Sequence, residues 1–143
     1  MTINKQKILL LDNGREWGGG TNSMLELLKR IDRQKFDITC CFYHNYSRGN
    51  DETIEATLNA LAIPVFFIPQ IRQPRWAKFV KEAVRALLFF NKKLKKRAID
   101  EIDTRWRIMP NASKINSLLQ LGKFDTLYMN NQPSTNVEGY LAA

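Results

Sequence analysis

The chain has 143 residues, of which 44% are hydrophobic and 25% are charged, and its formal net charge is +8. This length suffices for one domain with its own hydrophobic core, so we expect a single domain over residues 1–143. The polar start MTINKQK is unlike a secretory signal peptide, and no apolar run reaches the roughly 18 residues of a membrane-spanning helix. These features argue against an integral membrane protein.

The first predicted elements are a strand, a glycine-rich loop and a helix. The apolar run KILLLD, residues 7–12, shows no alternation, which is typical of a strand covered on both faces in a parallel sheet. The stretch GREWGGGTNSM, residues 14–24, follows it. Ser23 and Glu26 have the spacing of a capping box, so we predict that the helix begins there.

The second predicted strand, FDITCCFY at residues 36–43, contains both cysteines of the chain, Cys40 and Cys41. Neighbouring strand residues point to opposite faces, so we expect two buried thiols that do not pair with each other. His44 is the only histidine and no CxxC pair is present, which favours neither a zinc site nor a catalytic triad. We therefore predict no metal site, and for His44 a loop or core role rather than catalysis.

The remaining segments continue the alternation of helices and strands. Cap residues and apolar periodicity mark the helices, and short β-branched or aromatic runs mark the strands. In chain order they are a helix at 50–63, a strand at 64–69, a long basic amphipathic helix at about 75–102, a helix with Asn111 as cap and Gly122 as stop, a strand at 124–129, and a helix with Thr135 and Glu138 as capping box. This order predicts an α/β fold, with a Rossmann-like, mostly parallel sheet of at least four strands and helices on both faces.

The loop between residues 13 and 22 is the first candidate ligand site. Ligands of doubly wound sheets bind at the carboxyl ends of the strands, and this loop follows such an end. A helix N-terminus there offers free N–H groups to a phosphate or a carboxylate, and glycines allow close approach. Neither a GxGxxG fingerprint nor a P-loop is present, so a purely structural turn stays open as the alternative. For Asp12, a capping or solvated role is favoured over contact with a ligand.

Two stretches carry motifs that occur together in one enzyme family. The first, KILLLDNGREWGGGTNSMLELLKRIDRQKFDITCCFY, combines a strand at 8–12, the pair Gly18 and Gly19, a Leu-Glu-Leu run at 25–28 and a second strand at 36–42. The second is GKFDTLYMNNQPSTNVEGYLAA, at the end of the sequence. Together they resemble the N-terminal domain of family-4 (group 1) glycosyltransferases of the GT-B type, whereas the middle of the chain matches only in kind.

The resemblance implies a retaining glycosyltransferase of cell envelope biosynthesis. Such an enzyme moves a sugar from a nucleotide-sugar donor to a glycan or lipid-linked acceptor, without a metal and without a resident cofactor. A missing C-terminal domain would hold most of the donor, so this chain alone is expected to be inactive. In keeping with a truncated N-terminal domain, the sequence stops at Ala143 inside a helix-forming run, which has no glycine, proline or cationic last turn.

The resemblance also implies where ligands would bind. The donor- or acceptor-binding candidates are Gly18, Gly19, Gly20, Thr21, Asn130 and Asn131. The family often has histidines after its fourth strand, but this chain has Tyr128 and Asn130 there, and asparagine cannot act as a general base. No catalytic residue is therefore assigned, and a polar loop at the start of a helix is the alternative for the two asparagines.

The basic segment between residues 72 and 107 holds twelve lysines and arginines against four acids, and so accounts for the whole net charge. Its apolar stripe and its cations suit a helix that lies on an anionic membrane surface. The residues predicted to contact the membrane are Trp76, Lys78, Phe79, Lys81, Arg85, Phe89, Lys92, Lys93 and Lys96. The alternatives are that the stripe packs on the domain's own sheet, or that the segment binds nucleic acid, which is disfavoured because no RNA-binding signature is present.

The sequence is compatible with two other functions. A nucleotide-sugar epimerase shares the GT-B architecture, and a non-catalytic module could dock on a membrane or a nucleic acid through the basic helix. A second α/β domain after residue 143, with two glutamates near each other, would favour the transferase. We expect a cytoplasmic protein that is peripheral on the inner face of the plasma membrane.

Overall fold

A computed structural model of the chain describes residues 5–49, 52–131 and 136–143. Strands and helices alternate along them. The strands are β1 (Gln6–Asp12), β2 (Phe36–Phe42), β3 (Ser47–Arg48), β4 (Glu52–Thr53), β5 (Val65–Phe67) and β6 (Thr126–Met129). The helices are α1 (Gly19–Arg30), α2 (Ile54–Ala60), α3 (Arg75–Leu87), α4 (Lys92–Asp103), α5 (Met109–Gly122) and α6 (Val137–Ala142), and a π-helical turn, Thr104–Ile108, joins α4 to α5.

The main sheet has four parallel strands in the order β5-β2-β1-β6. The predicted α/β, Rossmann-like class is therefore confirmed. β1 lies in the middle of the sheet, and the chain crosses from β5 at one edge to β6 at the other. The crevice outside the carboxyl ends of β1 and β6 is thus the topological switch point, where folds of this type bind ligands. The sequence did not predict the short antiparallel pair of β3 and β4.

Two hydrophobic cores cover the two faces of this sheet. On one face, Leu10 and Phe42 pack with Met24 and Leu28 of α1 and with Leu58 of α2. On the other face, Leu9, Leu11 and Cys41 pack with Ala112 and Ile115 of α5 and Ala142 of α6. Successive residues of β1 thus face opposite layers, which is why its sequence is apolar without alternation.

Cys40 and Cys41 are both buried and unpaired, as predicted, and they face opposite cores. Burial raises the pKa of each thiol to about 12. In the unfolded chain a thiol ionises near pH 8.5. Between these two values the unfolded chain releases protons that the folded protein retains, so rising pH favours unfolding.

We therefore predict that alkali destabilises the protein through these thiols. Between pH 7 and about pH 9.5, each thiol should cost about 1.4 kcal/mol of unfolding free energy. Urea unfolding at the two pH values measures the loss, and the variant Cys41→Ala should show about half of it. If the variant and the parent lose equal stability, the thiols are not the cause.

The first helix begins five residues earlier than predicted. Its N-cap is Gly18, and Ser23 and Glu26 lie inside α1, so the predicted capping box there is wrong. Glu26 instead pairs along the helix with Lys29 at 2.9 Å and with Arg30 at 3.3 Å. The hydrogen bond and the positive charge of Lys29 lower the pKa of Glu26. The glycine triplet is consequently the start of the helix itself rather than a loop before it.

The single basic helix predicted at about 75–102 is wrong, because the structure contains two helices. α3 ends at Leu87, and Asn91 starts α4 as its N-cap, with its Oδ1 accepting from the Leu94 N–H at 3.0 Å. A side chain that caps a new helix competes with continuation of the old one. The four residues between them include Phe89 and Phe90, whose rings meet edge to face.

α4 continues into α5 without leaving the right-handed helical backbone, through one widened turn. The Met109 N–H donates to the Thr104 carbonyl, five residues back. Pro110 follows, and a proline has no N–H to donate and crowds the carbonyl four residues before it. A π-helical turn and a proline are both recognised sites of irregularity within a helix, and here they adjoin each other.

Three predicted helix signals act differently in the structure. Asn111 lies within α5 and is buried, so it is not the N-cap. The left-handed residue after α5 is Lys123, with φ of 50°, rather than Gly122, whose missing Cβ makes room for the Phe124 ring. The N-cap of α6 is Asn136, whose Oδ1 accepts from the Gly139 N–H at 3.1 Å. Thr135 lies outside the described residues.

Candidate functional site

The carboxyl ends of β1 and β6 are joined by a buried carboxylate. Asp12 is only 2% exposed, and its Oδ2 accepts from the Asn130 side-chain amide at 2.7 Å. Its Oδ1 accepts from the Gly14 N–H at 2.6 Å. Asn13, the residue after Asp12, is also bonded to the end of β6, because Asn131 Oδ1 accepts from the Asn13 N–H at 2.8 Å. Asp12 is therefore not solvated, which was one of the two roles that the sequence favoured; it orients the loop after β1 and fixes it against the end of β6.

The glycine triplet is open to solvent and unstrained. Gly18, Gly19 and Gly20 are exposed, and a Cβ added to either of the first two would meet no atom within 4 Å. Gly18 has φ of −143°, an extended backbone that any residue adopts, and Gly49 is the glycine with positive φ among the described residues. Neither crowding nor backbone conformation therefore requires glycine at these positions. The triplet leaves the backbone at the start of α1 accessible, with no side chains covering it.

Thr21 is placed differently from the three glycines before it. Its side chain is buried, and its Oγ1 lies 3.4 Å from the Gly18 nitrogen and 3.3 Å from the Tyr46 hydroxyl. Burial raises the pKa of Tyr46 to about 12. The Thr21 side chain therefore holds the loop from inside, and only its backbone is left for the ligand contact that the sequence predicted.

Trp17 fixes the outer part of the same loop. Its ring meets the Tyr46 ring edge to face, with 6.3 Å between the centroids. Its indole N–H donates to Asn22 Oδ1 at 2.8 Å. Asn130, predicted as a ligand contact, also approaches the loop, because its amide lies 3.5 Å from the Gly20 carbonyl oxygen. The loop is thus preorganised by contacts on both sides before any ligand arrives.

A second polar group lies at the same end of the sheet and was missed by the sequence analysis. Tyr43 and Glu138 are both buried, and burial together with the Glu138 charge raises the pKa of the Tyr43 phenol. The Tyr43 hydroxyl and His44 Nε2 are buried without a hydrogen-bond partner among the described residues. Nothing in the sequence separates Glu138 from an ordinary acid in the first turn of a helix, so only the structure reveals this grouping.

The basic helices α3 and α4 stand away from the sheet. Ala77 is the buried residue of α3, and α4 has none. The alternative that their apolar stripe packs on the domain's own sheet is therefore not what the structure shows. Phe79, Phe89 and Phe90 are exposed, and Trp76 packs against Trp106 with 4.8 Å between ring centroids.

The nine predicted membrane-contact residues do not all share this exposure. Lys81 is half-buried and forms an ion pair with Asp103, so its charge is already compensated. Arg85 pairs with Glu82 on the surface of α3. The other predicted cations are exposed without an ion pair in the described part of the chain: Lys78, Lys92, Lys93 and Lys96.

No helix within residues 5–49, 52–131 and 136–143 has both the length and the apolar character to cross a bilayer. The same residues hold no cluster of three or more histidines, cysteines, aspartates or glutamates that could bind a metal ion. Comparison of the chain with protein-family models, with curated proteins and with solved structures found no match. The resemblance to a glycosyltransferase family therefore stays a prediction from the sequence motifs, whereas the fold is given by the strand order.

Proposed function

We propose that this chain is the N-terminal, acceptor-side domain of a retaining GT-B glycosyltransferase. The observation that supports this most is the open glycine triplet, Gly18 to Gly20, at the carboxyl end of the central strand. These glycines serve no packing need within the described structure, so close approach of a ligand accounts for them. The motif resemblance at residues 7–43 and 122–143 supplies the class of reaction.

In such a transfer the bond between the sugar and the donor diphosphate breaks, and a bond to an acceptor hydroxyl forms. Negative charge grows on the departing diphosphate, and the hydroxyl proton must leave the acceptor. The unpaired N–H groups at the start of α1 and the positive end of its dipole would stabilise negative charge at the cleft. Asp12 and Asn130 would act as positioning residues, because they fix the loop that leads from β1 into α1.

A glycine variant separates this function from a structural role. We predict that Gly19→Ala raises the unfolding free energy by about 0.5 kcal/mol, because alanine orders more easily than glycine in a helix. The same variant should lower sugar transfer by about 100-fold, because its methyl group displaces the ligand from the backbone. The assay uses the full open reading frame that contains this domain, with release of the nucleotide as readout.

Gly139→Ala is the matched control for that experiment. A Cβ there would lie 2.7 Å from the Met129 sulfur and 2.8 Å from Asn136 Oδ1. This glycine is required by packing, so its substitution should cost about 1–3 kcal/mol of stability. If Gly19→Ala leaves transfer unchanged, or if the open reading frame has no second α/β domain, the proposed function is wrong. Interconversion of the nucleotide-sugar without transfer would instead support the epimerase.

The exposed faces of α3 and α4 favour a second function, peripheral docking on an anionic membrane. Large apolar side chains protrude next to unpaired cations there, and this combination suits the boundary between headgroups and acyl chains. Each cation near an anionic surface adds about 1 kcal/mol of attraction. A lipid-linked acceptor, which the resemblance implies, would then lie on the same surface as the enzyme, on the inner face of the plasma membrane.

A further inference from the structure

An open cavity of about 430 Å³ lies beside the loop between β1 and α1 and is lined mostly by cationic side chains. The lining residues are Arg15, Gln70, Ile71, Arg72, Gln73, Lys78 and Arg107. Four of the seven are cations and none is an acid. We call this feature the cation cavity.

The four cations come from separate parts of the fold. Arg15 belongs to the loop after β1, Arg72 to the segment after β5, Lys78 to α3 and Arg107 to the π-helical turn. The ion pairs among the described residues all involve other side chains. Cations gathered without an acid repel one another, and this repulsion is relieved when an anion enters between them.

A buried asparagine holds two walls of the cation cavity together. Asn111 is 2% exposed, and its Oδ1 accepts from the Ile71 N–H at 2.8 Å. Its amide donates to the Ile71 carbonyl at 3.0 Å and to the Arg107 carbonyl at 2.7 Å. The segment that carries Arg72 is thus fixed against the π-helical turn that carries Arg107. The cavity is a built feature of the fold rather than a chance approach of long side chains.

Asp103, an acid that is hydrogen-bonded to a residue of the cavity wall, is already paired with a lysine. Gln73 donates to Asp103 Oδ1 at 3.1 Å, and the same oxygen forms the ion pair with Lys81. Asp103 therefore leaves the four cavity cations uncompensated.

The π-helical turn also belongs to the cation cavity, because it lies between α4 and α5 and contributes Arg107. Turns of this kind occur frequently at functional sites.

We infer that the cation cavity binds a phosphate-bearing group, either a diphosphate or the phosphate ester of a small molecule or lipid headgroup. Arginine donates paired N–H groups in a planar fork that matches phosphate oxygens, and the amides of Gln70 and Gln73 add neutral donors. A volume of about 430 Å³ lies in the range of small-molecule sites, so it holds more than a lone phosphate. This site does not depend on the proposed sugar transfer.

The test is calorimetric titration of the purified chain with inorganic pyrophosphate. Arg72→Gln and Arg107→Gln should each weaken binding by about tenfold or more, because a hydrogen bond to a charged group is lost. Both side chains are exposed, so these variants should fold, which thermal melting followed by circular dichroism checks. Arg97→Gln removes the same charge from α4 outside the cavity and should change the affinity by less than about twofold.

Two further arms distinguish the source of the phosphate and the site that binds it. If a water-soluble, short-chain phosphatidic acid competes with pyrophosphate, the ligand is assigned as a lipid headgroup. If it does not compete, the ligand is assigned as a soluble phosphate compound. Either result supports binding at the cation cavity. Arg72→Gln should weaken pyrophosphate binding by the same factor in the Gly19→Ala background as in the parent, which separates the cation cavity from the glycine triplet. The inference is wrong if binding is not saturable, or if Arg97→Gln weakens it as much as the two cavity variants do.

Discussion

Replacing Asp12 with alanine is expected to lower the unfolding free energy by about 3 kcal/mol, the largest effect we predict for one side chain. The substitution removes the acceptor of the Gly14 N–H and of the Asn130 amide at a position that is almost fully buried. Donors that lose a charged partner in a buried place keep their desolvation cost without any compensation. Urea unfolding at pH 7 measures the change.

Asp125→Ala is the matched control, because Asp125 also joins a carboxylate to a backbone N–H between β1 and β6. Its Oδ2 accepts from the Lys7 N–H at 2.8 Å, but at the opposite end of the strands and in an exposed position. Water can replace that acceptor, so we expect a loss below about 1 kcal/mol. Equal losses for the two variants would show that burial of Asp12 is not what makes its hydrogen bonds strong.

The double variant Phe89→Ser and Phe90→Ser is expected to abolish most of the binding to anionic vesicles. The two side chains are 73% and 72% exposed, and their rings contact each other. Burial of one phenylalanine side chain contributes about 1.5–3 kcal/mol, so loss of two should weaken membrane binding by about 100-fold or more. Co-sedimentation with vesicles of phosphatidylcholine and phosphatidylglycerol measures it.

Stability and specificity controls accompany this experiment. The double variant should unfold at the same urea concentration as the parent, because it removes no buried contact. Leu121→Ser removes an exposed apolar side chain on α5, outside the basic helices, and should leave vesicle binding intact. Added salt should release the parent from the vesicles by screening the cations. Equal binding to vesicles without phosphatidylglycerol, or to nucleic acid in place of vesicles, would contradict membrane docking.

Local sequence signals locate the strands of this chain more reliably than they locate the helix ends. The strands at 7–12 and 36–43 were predicted almost to the residue, since a short apolar run and a run of β-branched and aromatic residues are both typical of strands. The helix ends were less reliable. Ser23 and Glu26 match a capping box, yet α1 starts at Gly19, because the buried Thr21 side chain contacts the Gly18 nitrogen and the Tyr46 hydroxyl and so fixes an earlier first turn.

The break in the basic segment is a second case in which a local sequence signal gave the wrong helix boundaries. Its apolar periodicity predicted one helix, but Asn91 ends that helix by capping another. The position of Asn111 is a stronger case. A cap is the common use of asparagine near a helix start, whereas here it binds the backbone of residue 71, forty positions earlier in the chain.

The sequence by itself determined the alternation of strands and helices, the parallel sheet and the place of the glycine triplet after the first strand, because hydrophobic periodicity and chain connectivity are local properties. Tertiary structure alone decided that Asp12 meets Asn130, 118 positions away, and that four cations from separate elements surround one cavity. Those contacts depend on the strand order β5-β2-β1-β6 and on the π-helical turn. Both follow from the packing of the whole chain, which no single stretch of sequence encodes.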